Sequence, residues 1–93
     1  MSIKSNWAYL NGKRMVSEAE SIQKNSVPKF DFIEDREGNL AYAERRRDDR
    51  ERYYLSIKAY ANRAQANRQI ERLKEHGYNV RVSEKHPFKI IKL

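Results

Sequence analysis

Ninety-three residues carrying a net charge of +7, with 39% hydrophobic and 35% charged side chains, allow one domain with a thin core. The absence of cysteine excludes disulfides and thiolate metal sites and fits a reducing compartment. No apolar run approaches the roughly 20 residues that span a bilayer, and MSIKSNWAYLNGKR lacks the apolar stretch of a signal peptide. The expectation is a soluble cytoplasmic protein with no membrane partner.

In chain order, Trp7-Ala8-Tyr9-Leu10, Asn11-Gly12 and Lys13 to Val16 form a hairpin signature, because Asn-Gly suits the type I′ turn that matches strand twist. Ser17 with Glu20 forms a capping box opening a helix of two turns through Asn25, and Pro28 closes that connection. Phe30 and Phe32 begin a strand, Glu37-Gly38-Asn39 turns it, and Leu40 to Arg46 returns. A second turn at Asp48-Asp49 leads into a strand over Arg52–Tyr60.

Residues 53–82 are the most informative stretch. Tyr53, Leu55, Ile57 and Ala59 alternate with Tyr54, Ser56, Lys58 and Tyr60, the period of a half-buried strand. Asn62 caps a following helix, with Gln65 three residues on, and Ala66, Ile70 and Leu73 fall on one stripe. Gly77 stops the helix after Lys74 and His76, whose cations suit the negative end of the dipole. Val80 and Val82 resume the two-residue period, and Phe88 to Leu93 reads as a last strand entered through Pro87. Strand, helix and strand are expected at 53–60, 63–76 and 79–83, with Leu55, Ile57, Ala66, Ile70, Leu73, Val80 and Val82 buried together. The fold class is α+β: a mainly antiparallel sheet, one principal helix on one face, and one short N-terminal helix, in a single small domain over 1–93.

Tyr53-x-Leu55-x-Ile57, Tyr60, Asn62-Arg63, Ala66, Leu73, Gly77-Tyr78-x-Val80-x-Val82 and Pro87-Phe88-x-Ile90 together resemble the first half of a SPOR domain. The resemblance covers residues 53–93. SPOR domains are small α+β modules that bind peptidoglycan glycan strands through one face of their sheet, so the resemblance implies that fold and makes a glycan strand one expected ligand.

Charge is unevenly distributed. Residues 1–28 hold four basic and two acidic side chains (+2), residues 29–52 seven and eight (−1), and residues 53–93 nine and three (+6). In ERRRDDRER, residues 44–52, five arginines face Glu44, Asp48, Asp49 and Glu51, which reads as a solvated, salt-bridged strand end and turn. The C-terminal excess favours an anionic partner.

Candidates for chemistry are sparse. His76 reads as a dipole-compensating cap, and His86 precedes a proline. Asp31, Glu34, Asp35 and Glu37 cluster at a turn as exposed hairpin acids do, so no metal is expected. The three glycines are isolated, so there is no phosphate loop, and no serine or threonine has a recognisable base partner. An enzyme and a cofactor are not expected.

What remains is a surface. If Leu55 and Ile57 face the helix, then Tyr54, Ser56, Lys58 and Tyr60 share the opposite side with Arg81, and Lys89 joins them if Phe88 and Ile90 are buried. Tyrosines beside cations suit single-stranded nucleic acid, RNA or DNA. Tyr54, Lys58, Tyr60, Arg81 and Lys89 are therefore the expected nucleic-acid-binding residues. Alternatively, the N-terminal hairpin, with Trp7 and Tyr9, covers this face and makes Tyr54 and Tyr60 core residues. Three classes fit the sequence: a small nucleic-acid binder; a module that binds an acidic protein surface, such as a phage-type inhibitor of a host or defence factor; and a SPOR-like glycan binder.

Overall fold

The computed structural model describes residues 22–93 in full, together with the backbone of residues 8–10 and 13–15. Its elements are β1 (Ala8–Leu10), β2 (Lys13–Met15), a 3-10 turn (Lys24–Ser26), β3 (Phe30–Glu34), β4 (Leu40–Arg47), β5 (Tyr53–Ile57), α1 (Arg63–Glu75), β6 (Val80–Val82) and β7 (Ile90–Lys92). The expected class, an α+β fold with an antiparallel sheet and one main helix, is what the chain adopts. The two strands of the expected hairpin pair, with Leu10 opposite Lys13, while Asn11 and Gly12 lie outside the described residues. The helix expected through Asn25 falls largely on residues 17–21, outside the described ones, and so does Trp7.

Helix α1 begins and ends on the signals in its sequence. Asn62 Oδ1 accepts the backbone N–H of Gln65 at 3.0 Å, which satisfies one of the N–H groups left free in the first turn. At the other end, Tyr78 N–H donates to Leu73 O and Gly77 N–H to Lys74 O, the paired bonds of a Schellman ending. That ending needs a left-handed residue, and Gly77 supplies it at φ 93°. Asn62→Ala should cost about 1 kcal/mol of stability. A urea midpoint unchanged from the parent would show that the cap contributes nothing.

Among the described residues, seven strands join in one antiparallel sheet with the order β1-β2-β5-β4-β7-β6, and β3 added on β4. β4 organises it. Along one edge, Leu40 to Glu44 pair with β3. Along the other edge, Ala43 to Arg47 pair with β5, and Ala41 pairs with Ile91 of β7. β5 leaves β4 just past Ile57, and its extension at Tyr60 bridges Phe88 on the approach to β7.

Both faces of this sheet are packed. On one, Tyr42, Val80 and Ile90 are buried against Ile70 and Leu73 of α1, with Phe30, Phe32, Tyr60, Tyr78 and Val82 around them. Phe30, Phe32, Tyr42 and Tyr78 form an aromatic box with centroids 5.6–5.9 Å apart, spacings favoured by tilted and edge-on rings. On the other face, Val27, Ile33, Ala43 and Leu55 form a second cluster flanked by Tyr53 and Ile57. Val27 is held there because Arg45 Nη1 donates to Val27 O at 3.0 Å and to Lys24 O at 3.1 Å.

The second cluster corrects one expectation. Leu55 and Ile57 do not share a core with Ile70 and Leu73; they lie on the far side of the sheet, under the 3-10 turn. Ala66, Ile70, Leu73 and Val80 are buried as expected.

Candidate functional site

Turning Leu55 and Ile57 away from the helix moves every neighbour on β5. Tyr54 stands opposite Arg46 and Ser56 opposite Glu44, so both share the helix side with Tyr42. Lys58 is on that side too, with Nζ 3.7 Å from Glu44 Oε1 and 5.7 Å from the centroid of the Tyr60 ring. Tyr60 packs against the α1 cluster, and burial, then the nearby Glu44 charge, push its phenol up to about 12. Tyr42 belongs to the same chain of contacts: its hydroxyl donates to Glu44 Oε2 at 2.7 Å and accepts from Gln69 Nε2 at 3.4 Å.

Arg81 and Lys89 go the other way. Val80 and Val82 point toward the helix, so Arg81 between them projects from the far face. Ile90 is buried beneath α1, which turns Lys89 and Ile91 to the far face as well. The five expected site residues therefore do not form one surface. Tyr54, Lys58 and Tyr60 lie on the helix side, and Arg81 and Lys89 on the opposite side.

Lys89 is also engaged. Its ammonium group donates to Asp35 Oδ2 at 2.8 Å and to Glu37 Oε1 at 3.0 Å. The Asp35 side chain is only 3% exposed, and its other oxygen accepts the backbone N–H groups of Glu37 at 3.0 Å and Asn39 at 2.8 Å. Burial by itself would raise the Asp35 pKa. The bonds from Lys89, Asn39 and Glu37 outweigh it and hold the carboxyl below the usual range. Lys89, opposed by burial but bonded to both acids, is held above the ordinary lysine value.

This clamp joins the β3–β4 turn to the strand entering β7, and beside it a cleft of about 790 Å³ opens on the far face. Asp35, Arg36, Glu37 and Asn39 form one wall. The loop Ser83–Pro87, with Arg81 and Ile91, forms the other. The loop is tied down where Lys89 N–H donates to Ser83 Oγ at 2.9 Å, and its His86–Pro87 bond is cis. Arg81, Glu84, Lys85 and His86 are exposed, so cations, a carboxylate and an imidazole stand along one side of the cleft. Among the described residues, no group of three or more His, Asp or Glu side chains is arranged to hold a metal.

Sequence reasoning included Arg81 and Lys89 but not their neighbours Asn39, Ser83 and Lys85. Asp35 and Glu37 were visible only as turn acids. Nothing in the spacing of the two loops, nearly fifty residues apart, announces that they meet.

The segment from the β4–β5 turn to the start of β7 is similar to a known family. Residues 49–90 match the SPOR domain family model. This segment is SPOR-like. No curated protein and no solved structure matches the chain. The match takes in β5, α1, β6, the Ser83–Pro87 loop and Lys89. It excludes β4, although β4 is the strand to which both β5 and β7 are bonded.

Proposed function

We propose that the protein is a small, non-catalytic glycan-binding module and that the cleft between the β3–β4 turn and the Ser83–Pro87 loop takes a segment of peptidoglycan glycan strand. The observation that carries this reading is the SPOR-like match over the β5–β7 unit, which supplies one wall of the cleft. SPOR modules bind through one face of their sheet, and here the far face is closed under Val27 but open at the end bearing Arg81. An amino-sugar strand presents hydroxyl, acetamido and carboxylate groups. The amide of Asn39, the hydroxyl of Ser83 and the cations Arg81 and Lys85 are complementary donors and acceptors. The nucleic-acid reading loses the surface that motivated it, because Tyr54, Lys58 and Tyr60 do not meet Arg81 and Lys89.

Co-pelleting with purified peptidoglycan sacculi tests the proposal. The parent protein should pellet, and Arg81→Gln combined with Lys85→Gln should weaken binding by at least about tenfold, the effect of losing one hydrogen bond from a charged donor. Both residues are exposed, so the variant should melt like the parent. A parent protein that stays in the supernatant at every salt concentration would rule the reading out.

A further inference from the structure

By count, ERRRDDRER is close to neutral. The fold keeps that net of +1 but pairs off two of the four acids and two of the five arginines. Glu44 accepts from Tyr42 and faces Lys58. Asp48 closes the β4–β5 turn: its Oδ1 accepts the backbone N–H groups of Arg50 and Arg52, each at 2.9 Å, and its Oδ2 lies 3.5 Å from Arg52 Nε. Arg45 is occupied with Lys24 O and Val27 O. Arg46, Arg47 and Arg50 are left exposed at the tip, with no ion pair among the described residues, against Asp49 and Glu51.

Their placement is directional. Arg46 and Arg47 are consecutive on β4, so they project from opposite faces of the sheet, and Arg50 stands in the turn beyond them. Three guanidinium groups thus surround one end of the molecule, remote from the Arg81 cleft along the strand direction.

We infer that this arginine tip binds nucleic acid through its phosphate backbone. The tip's cations are all arginine, whose planar fork matches phosphate oxygens in pairs. A protein partner would call for an aromatic or aliphatic anchor, and a membrane surface for apolar insertion. The exposed large hydrophobic residues among those described are Ile22, Leu40 and Leu93, and none is at the tip. A phosphodiester backbone requires no such anchor. It presents a repeating row of charges, which a tip with cations on both flanks and at its apex can follow. Contacts of this kind position a strand without reading its bases, so binding is independent of sequence.

Fluorescence anisotropy with labelled single-stranded and duplex DNA of about 20 nucleotides, titrated from about 50 to 200 mM salt, tests the inference. The parent should bind both forms, more weakly as salt rises. Replacing Arg46, Arg47 and Arg50 together with Gln should flatten the log–log salt slope by about 2–3, since each backbone contact contributes about 0.7–0.9. The exposed positions should leave stability within a few tenths of a kcal/mol. Arg81→Gln with Lys85→Gln should keep the full slope, and the arginine variant should still pellet with sacculi, so this inference and the glycan reading fail separately. An unchanged slope in the triple variant, or no binding of either DNA form at low salt, would overturn the inference. Equal binding of polyglutamate would overturn it as well, marking a surface for carboxylates instead.

Discussion

Leu73→Ala should destabilise the protein by about 2–5 kcal/mol, measured as a shift in urea midpoint at constant m. Leu73 is 4% exposed and lies where Ile70, Tyr42, Val80 and Ile90 converge, so it joins helix to sheet. Truncation removes transfer energy and leaves a cavity lined by rings and branched side chains that cannot all move into it. Domains of this size have about 5–15 kcal/mol in total, so the variant should be partly unfolded near physiological temperature. Its backbone carbonyl also accepts from Tyr78 and from His76, but alanine keeps that carbonyl, so the loss reports packing and not the helix ending. A measured loss below about 1 kcal/mol would contradict the placement of α1 on the sheet.

The helix was fully legible because its signals are local. Asn62, the Ala66/Ile70/Leu73 stripe and Gly77 each act within one or two turns, and each does in the structure what its spacing implies. The faces of β5 were not legible. That strand carries apolar groups on both sides, Leu55 and Ile57 on one and Tyr54 on the other, continued by Tyr60. A two-residue period shows that the sides differ without showing which one meets the helix. The answer depends on a second cover, the segment ending at Val27, held by a hydrogen bond from Arg45 eighteen residues away. Reading Arg45 as one more solvated arginine concealed it. Counting charges also hid how the tip is arranged: Asp48 folds into its own turn and Arg45 onto two backbone carbonyls, which leaves Arg46, Arg47 and Arg50 exposed although the net charge of the run is unchanged.

The cleft illustrates a long-range dependence, and its clamp yields the second large effect. Lys89→Met should cost about 1.5–3 kcal/mol at neutral pH, the range for hydrogen bonds to charged groups. Most of that should come from Asp35, because removing the ammonium leaves a nearly buried carboxylate with only its two backbone donors. The Glu37 arm contributes little, since its side chain is 63% exposed. The pH dependence follows from the direction of each shift. The Asp35 pKa is lowered, so its contribution is complete above the unfolded value of about 3.9 and is lost as pH falls through the lower folded value. The Lys89 pKa is raised, so its contribution is complete below about 10.4 and is lost as pH rises through the higher folded value. Parent and variant should therefore differ by a constant amount between about pH 5 and 9 and begin to converge as pH falls below the unfolded carboxylate value of about 3.9, with Asp35 protonated last in the folded state. Urea melts across that range measure the difference directly. Because Lys89 fixes the β3–β4 turn against the strand entering β7, the variant should also lose sacculus binding at neutral pH, where the fold itself persists. A difference that does not shrink in acid would mean that the clamp acts by packing alone, and that charge does not hold the cleft in shape.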